Sequence, residues 1–264
     1  MVVRLGVDVS DVADWAVRLR RTPQVAAVAF TERELAATAA DPRALAEVWA
    51  LKEAVLKALG TGFDGIGWRG IEVAPPGGGA RVVRIAGGRH PPGFPRVLRG
   101  AVREVGGSVL AAVVAAPGLG HRPPPRLRAA LVAVPGGLPR RERQRAHSAA
   151  ARLAGRRAWE ALCAGAGRTA GGTRWGRTEA GAPVLRTADG LRVPVALAHG
   201  AGLAAALVAL PAARVPYESG DNAAGDNKAG DNRPGDSGRG SGKPSLELTI
   251  IAHDNLLKEV TVHA

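Results

Sequence analysis

Three ionisable residues on one predicted helix stand out because the rest of that helix is apolar. The run DPRALAEVWALKEAVLKALG, residues 41–60, carries leucine, valine and tryptophan nearly all round, a pattern typical of a buried helix. Glu53 and Lys57 lie four residues apart on one face, and Lys52 precedes Glu53. Charges on a buried helix need a partner or a ligand. An ion pair between Glu53 and Lys57 is the simpler interpretation, and a ligand site is the other.

A further carboxylate, Asp8, ends the apolar strand-like run VVRLGV. Ser10 or Asp11 is predicted to cap the helix that follows, whereas Asp8 has no such role. A carboxylate at the end of a buried strand can meet a second carboxylate on a packed helix. Such a pair suits Mg²⁺, which keeps several waters and accepts phosphate oxygens as further ligands. A lysine beside the pair would then face the phosphate.

Two other chemical readings are disfavoured by their settings. His147 and Ser148 are adjacent, but they lie in an arginine-rich run without an acid partner at helical spacing, which argues against a serine hydrolase. A single cysteine, Cys163, excludes a disulfide framework and a cysteine-built zinc site. We expect Cys163 to be a small core residue beside a helix.

Composition limits the class of protein. The 264 residues include 36 Lys and Arg against 23 Asp and Glu, giving a formal charge of +13, and 46% are hydrophobic. This length suffices for one large or two small domains. The longest apolar stretches, VLAAVVAA and GLAAALVAL, are far shorter than the roughly 20 residues that span a bilayer. The start MVVRLGVDVSD has no signal-peptide pattern, so we expect a cytoplasmic protein without a membrane anchor.

The order of predicted elements repeats once along the chain. The first half has a strand, a long helix over residues 41–59 ended by glycines, and further β-like runs. After the proline-rich segment HRPPPR, the second half has a strand, a long helix from about Pro139 to Cys163, and three more strand-like runs. The repetition predicts two related α+β lobes, residues 1–120 and 126–211, each a small antiparallel sheet packed on a long helix.

The end of the chain has a different composition. GDN recurs at a five-residue step after Tyr217, and residues 217–244 are predicted to be a flexible, disordered linker. A calcium-binding repeat is disfavoured because the nine-residue glycine and aspartate period is absent. Residues 245–264 show alternating apolar positions, which predict a strand pair or an added edge strand of unknown role.

A basic run lies between Arg122 and Arg157, where ten arginines accompany one acid, Glu142. A run of one charge is usually a solvated face, and a basic one also raises the question of nucleic acid. The run has no interleaved aromatic residues for base stacking and matches no nucleic-acid-binding module. We therefore expect no nucleic-acid partner.

Three segments carry a resemblance to a known family. GVDVSDV, FTERELA and WALKEAVLKALGTGFDGIGWRGIEV are similar to the signature segments of the 4′-phosphopantetheinyl transferases, in particular the holo-acyl-carrier-protein synthase branch. The resemblance implies an enzyme that transfers the 4′-phosphopantetheine moiety of coenzyme A to a serine of an apo acyl or peptidyl carrier protein. Adenosine 3′,5′-bisphosphate would be released.

The same resemblance implies roles for individual residues. Asp8 and Glu53 match the magnesium ligands, and Lys57 matches the lysine that contacts a coenzyme A phosphate and neutralises developing charge. Lys52 matches the other motif lysine and is expected to bind the cofactor. Glu53, or a water on the magnesium ion, would take the proton from the carrier serine.

The second half resembles the coenzyme-handling lobe of the two-lobed, surfactin-type enzymes. GAPVLRTADGLRVPVALAHG matches a segment that implies a coenzyme A contact for His199, with Ala198 where the family usually has serine. RERQRAHSAAARLAGRRAWEAL implies a further contact for Arg156. The chain would then be a pseudo-dimer with its lobes in permuted order, and a monomer or small homo-oligomer. The first half lacks the corresponding histidine, so the alternative is a catalytically degenerate pair that binds coenzyme A or a carrier protein without turnover.

Overall fold

The computed structural model describes residues 3–60, 65–75, 80–88, 90, 92–115, 126–179, 181–200, 202–210, 247–252 and 260–263. Within these residues the chain forms two β-sheets accompanied by helices, so the predicted α+β class is confirmed. The segment HRPPP and the linker predicted for residues 217–244 lie outside the described residues.

The first sheet has the strand order β1-β5-β4-β3-β2, with every neighbouring pair antiparallel. Its strands are β1 (Arg4–Asp11), β2 (Ile71–Val73), β3 (Ala80–Ile85), β4 (Val97–Val105) and β5 (Ser108–Ala115). Four helices lie between β1 and β2, followed by a 3₁₀ turn at Trp68–Gly70: α1 (Val12–Arg21), α2 (Gln24–Ala29), α3 (Glu32–Thr38) and α4 (Pro42–Leu59).

The second sheet has the order β12-β11-β6-β10-β9-β8-β7. Its strands are β6 (Arg126–Ala133), β7 (Thr173–Arg177), β8 (Pro183–Thr187), β9 (Arg192–Gly200), β10 (Leu203–Leu210), β11 (Glu247–Ala252) and β12 (Val260–His263). Helix α5 (Arg140–Ala164) packs on β6, β9 and β10. The predicted strand pair at the end of the chain is confirmed: β11 and β12 are antiparallel, and β11 adds to β6 in parallel.

The two sheets pack face to face through small aliphatic side chains. Val3 and alternate residues of β1, from Leu5 to Val9, contribute to this layer with Leu127, Ala129 and Leu131 of β6. Helix α4 covers the opposite face of the first sheet, and α5 covers the outer face of the second. The result is a four-layer α-β-β-α arrangement. Among the described residues, no helix is long and apolar enough to cross a membrane.

Local caps explain why the long helix of the first half begins and ends where the sequence predicts. The side chain of Asp41 accepts a hydrogen bond from the backbone N–H of Ala44, and Pro42 occupies the first turn. At the other end Gly60 has φ of +68°, a left-handed conformation that glycine adopts without strain. Asp11 caps α1, as one of the two predicted alternatives, while Ser10 accepts a hydrogen bond from the indole of Trp15.

Candidate active site

A close backbone contact between β1 and α4 positions the first group of candidate residues. An ideal Cβ at Gly6 would lie 1.7 Å from the carbonyl oxygen of Ala54 and 3.0 Å from the nitrogen of Ala58. Only a residue without a side chain permits this approach. Because side chains alternate along a strand, Asp8 lies on the same face of β1 as Gly6 and therefore also faces α4.

The Lys57 ammonium bridges α4 to the middle of β1. Its Nζ donates to Oδ1 of Asp8 at 2.7 Å and to the carbonyl oxygen of Val7 at 3.0 Å. Burial raises the pKa of Asp8 above its usual range, and the charge and hydrogen bond of Lys57 oppose that rise. The simpler prediction of an ion pair between Glu53 and Lys57 is wrong, because Lys57 pairs with Asp8. The Lys57 side chain remains 36% exposed, so a ligand can reach it.

Glu53 is half-buried and lies within electrostatic range of both residues. Burial, followed by repulsion from Asp8, raises the pKa of Glu53 to about 7, and Lys57 opposes this rise. Asp8 and Glu53 are partly desolvated carboxylates, and Asp8 disfavours the charge of Glu53. Such a pair is a donor set that fits Mg²⁺, which needs only one or two protein carboxylates. Among the described residues, no group of three or more acidic, histidine or cysteine side chains is placed to hold a metal.

Lys52 lies away from this group and its expected role in binding the cofactor needs correction. The side chain is fully buried, and Nζ donates to the carbonyl oxygens of Ala29 at 3.0 Å and Trp68 at 2.9 Å and to Oε2 of Glu34 at 2.7 Å. Three acceptors use all three ammonium protons. Glu34 also accepts from the backbone of Thr31 and Val73, so Lys52 ties α4 to α2, α3 and β2 rather than facing a ligand.

His199 of the second half lies near the same part of β1. It is exposed at the end of β9, which packs across β1. The next residue, Gly200, approaches so closely that a Cβ there would lie 3.0 Å from the carbonyl oxygen of Val9. The charge of His199 also lowers the pKa of Asp8, although burial and Lys57 have larger effects. Asp8 and His199 therefore lie within electrostatic range of each other.

A cavity of about 530 Å³ adjoins His199 on the α5 side of the second sheet. Arg152 and Arg177 contribute cations to its wall, and Ser148 and Trp175 are also part of it. Arg156, the arginine predicted from sequence, lies one turn beyond Arg152 and is exposed. Sequence reasoning therefore missed Arg152 and Arg177. The only signal for Arg152 was the four-residue spacing of Ser148, Arg152 and Arg156, which places these residues on one helical face. Arg177, at the end of β7, had no such signal.

The surroundings of His199 show two further features that the sequence did not predict. The buried ring of His147 lies 5.0 Å from that of His199, and burial lowers the pKa of His147. Ala198 points into the apolar layer between the sheets, so a hydroxyl at this position would not face the cavity. Cys163, in the last turn of α5, is fully buried in the core, as predicted.

Comparison with known proteins places this chain in a family. A family model described as the 4′-phosphopantetheinyl transferase superfamily matches residues 4–111. The holo-[acyl-carrier-protein] synthase of Frankia alni is 44% identical over 86 residues, which cover 33% of this chain and 70% of the synthase. That of Clavibacter michiganensis is 41% identical over 87 residues, with the same shares covered. The chain belongs to the 4′-phosphopantetheinyl transferase superfamily.

This chain can also be aligned with solved structures. A crystal structure of the Helicobacter pylori holo-[acyl-carrier-protein] synthase in complex with coenzyme A aligns with a TM-score of 0.37 and 18% identity, covering 42% of this chain and 99% of that one. The family model ends at residue 111, so it does not extend to His199.

Proposed function

We propose that this protein transfers the 4′-phosphopantetheine moiety of coenzyme A to a serine of an apo acyl or peptidyl carrier protein, releasing adenosine 3′,5′-bisphosphate. Membership of the superfamily supports the type of reaction. The observation that carries the proposal for this chain is the contact of Asp8 with Lys57 next to Glu53, within electrostatic range of His199. Two carboxylates and a lysine of the first half thus lie within electrostatic range of a histidine of the second half.

The first half supplies the reacting end of the site in this proposal. Asp8 and Glu53 would hold Mg²⁺, and the ion would stabilise negative charge on the pyrophosphate of coenzyme A. Lys57 already lies at Asp8 and is partly exposed, so its ammonium neutralises charge that develops on the phosphate. Glu53, or a water on the ion, would accept the proton of the carrier serine.

The second half supplies the coenzyme-binding end. His199 and Arg156 bind phosphate groups of coenzyme A, and Arg152 and Arg177 join them because they line the adjacent cavity. Guanidinium groups are well suited to this role since their planar donor array matches phosphate oxygens. We assign residues 1–120 to the metal-binding lobe and residues 126–211 to the lobe that handles coenzyme A. The family pseudo-dimer, with its lobes permuted, is part of the same proposal.

A degenerate pair without turnover is the weaker alternative. It rested on the missing first-half histidine and on Ala198. Because Ala198 faces the apolar layer, its lack of a hydroxyl does not remove a group from the cavity. The contact of Lys57 with Asp8 beside Glu53 supports turnover instead.

The test is incubation of the full chain with coenzyme A, Mg²⁺ and a panel of apo carrier proteins, read by the mass of the carrier and by adenosine 3′,5′-bisphosphate. We expect one carrier to gain the phosphopantetheine mass. Glu53→Gln keeps the size of the side chain but removes the charge, and it should abolish transfer while leaving the melting temperature within a few degrees of the parent. Coenzyme A binding without any transfer in the parent chain would favour the degenerate alternative, and near-normal turnover of the variant at limiting Mg²⁺ would refute the role of Glu53.

A further inference from the structure

Two buried polar atoms in the second half of the chain have no hydrogen-bond partner. Among the described residues, these atoms are Nδ1 of His147 and Nε1 of Trp175. Trp175 lines the cavity beside His199, and the ring of His147 lies 5.0 Å from that of His199. Buried polar atoms are nearly always paired, so each exception needs an explanation. Both exceptions border the place to which we assign coenzyme A.

Packing alone does not explain a histidine at position 147. The residue is 9% exposed, and the next residues on the buried face of α5, Ala151 and Ala154, are small and apolar. A buried nitrogen without a partner costs free energy that an apolar side chain at the same position would avoid. Proteins commonly retain such a cost at functional sites. The position of His147 next to His199 therefore indicates a role toward that residue.

The surroundings make His147 the neutral member of the histidine pair. Burial lowers the pKa of His147 below its usual range, and the charges of His199 and Arg143 act in the same direction. Charged side chains lie around the pair on three elements: Arg143 and Arg152 of α5, Asp8 of β1 and Arg177 of β7. His199 is exposed, so it is the ring that solvent and a ligand can reach.

We propose that His147 is a positioning residue for His199. Nδ1 of neutral His147, in the tautomer protonated at Nε2, accepts a hydrogen bond from one N–H of His199. This bond fixes the ring of His199 so that its other N–H faces a phosphate of coenzyme A. The inference rests on the proposed function, because it deepens the role given there to His199.

The geometry allows this hydrogen bond after a small rotation. The ring centroids are 5.0 Å apart and the ring planes are inclined by 46°. The χ2 torsion of histidine has broad energy wells, so rotation about it can bring a nitrogen of each ring to hydrogen-bond distance. The bond would also give Nδ1 of His147 the partner that it lacks.

A metal site is the other use that two neighbouring histidines suggest. Zinc sites in proteins use three or four protein ligands. In the part of the chain that the structure describes, no group of three or more histidine, cysteine, aspartate or glutamate side chains could hold a metal ion. His147 is also enclosed, whereas His199 lines the cavity, so His199 is the ring that meets a ligand first.

The experiment measures the coenzyme A affinity of the full chain by calorimetry from about pH 5.5 to 8.5. A proton on His199 favours phosphate binding, so the affinity of the parent falls as the pH rises. His147→Phe keeps a ring without nitrogens and should weaken binding about three- to tenfold near neutral pH. The midpoint of the pH dependence should move to lower pH, because the His199 cation loses an acceptor. The phosphates of coenzyme A titrate equally in every variant, so the difference between variants reports on the protein.

Two further variants separate the nitrogen from the volume of the ring. His147→Asn places an amide oxygen near the position of Nδ1 and should bind coenzyme A within about twofold of the parent. His147→Leu is apolar and smaller than phenylalanine, so it should behave as His147→Phe without overpacking the core. Both apolar variants should melt at the parent temperature or higher, since an unpaired buried nitrogen is removed. In transfer assays they should raise the KM for coenzyme A and leave kcat unchanged.

A double-mutant cycle tests whether His147 acts through His199. In the His199→Ala background, His147→Phe should cause no further loss of coenzyme A affinity and no shift of the pH midpoint. A residue that only supports the fold, or that contacts the ligand directly, would cause the same loss in both backgrounds.

The outcomes separate this inference from the proposed function. Parent-like affinity of His147→Phe and His147→Leu across the pH range overturns the positioning role. An equal loss in both backgrounds of the cycle overturns it as well. Failure of His147→Asn to recover affinity overturns the hydrogen bond from His199. If the parent binds coenzyme A with the expected dependence on His147 but transfers to no carrier, the proposed reaction fails while the positioning role stands.

Discussion

Gly6→Ala tests whether the backbone contact between β1 and α4 sets the geometry of the site. The added Cβ would lie 1.7 Å from the carbonyl oxygen of Ala54, and real Cβ atoms essentially never come closer than 3.0 Å to a neighbour. The oxygen belongs to the helix backbone, so no side chain can rotate away. Strand and helix must separate by about 1 Å or more, as expected for an overpacked core.

The consequence for the site follows from where Gly6 lies. Lys57 reaches both Asp8 and Val7 from α4, so the displacement acts directly on the contacts of 2.7 Å and 3.0 Å. A misplacement of about 1 Å in a catalytic group can cost on the order of 100-fold in rate. Overpacking costs about 1–3 kcal/mol of stability, which lowers the melting temperature of a chain this size by about 2–12 °C.

The assay is initial-rate transfer to a carrier at saturating coenzyme A, with the melting temperature measured on the same preparation. Gly136→Ala is the matched control, because a Cβ at Gly136 meets nothing within 4 Å and the backbone there is not left-handed. The control should retain both rate and stability. If Gly6→Ala transfers at the parent rate, the close approach does not position Asp8 and Lys57, and the reasoning is refuted.

Three further predictions concern other parts of the molecule. Lys52→Met leaves Glu34 buried without its cation and should lower the free energy of unfolding, measured with denaturant, by about 3–5 kcal/mol. The double variant Lys52→Met/Glu34→Gln should recover part of that loss. A loss of coenzyme A affinity at unchanged stability would instead show that Lys52 contacts the ligand. His199→Ala should weaken coenzyme A binding by about 1.5–3 kcal/mol in calorimetry and leave the magnesium dependence of transfer unchanged. If the variant binds coenzyme A as tightly as the parent, His199 is not part of the site. A chain ending at Tyr217 lacks β11, so the edge of β6 becomes exposed. We expect this chain to self-associate in light scattering but to keep the transfer rate of the parent. An inactive monomer would contradict this expectation.

Helix boundaries were predictable because their causes are local in sequence. The long helix of the first half starts at a residue that can cap it and ends at a glycine, and the observed Pro42–Leu59 agrees with the predicted 41–59. The second long helix, Arg140–Ala164, agrees within a residue at each end with the predicted span. Asp8 was likewise identifiable as a carboxylate in an apolar run, although it does not end the strand as predicted, because β1 continues to Asp11.

The separate environments of Lys52 and Lys57 were not predictable from periodicity. A helix that is apolar nearly all round does not reveal which of its charged residues faces the next layer. The partners that bury Lys52 are Ala29, Glu34 and Trp68, up to 23 residues away in sequence, and only the tertiary fold brings them together. The sequence also could not show which arginine of α5 borders the cavity, Arg152 or Arg156, because that depends on the tertiary fold. Trp175 packs against Gly155 and sets which turn of α5 borders the cavity.

The faces of the two sheets constrain how one ligand can reach both halves of the proposed site. Asp8 pairs in register with Ala111, on the α4 side of the first sheet, whereas His199 pairs with Ala204, on the α5 side of the second. A ligand that contacts both must therefore cross the edge where β1 and β9 approach each other. Coenzyme A is elongated, with its phosphates near one end, so it can extend along the cavity on the α5 side and bring its pyrophosphate over this edge to Asp8. Neither half alone presents both faces, which is the physical reason to expect that transfer needs both halves of the chain.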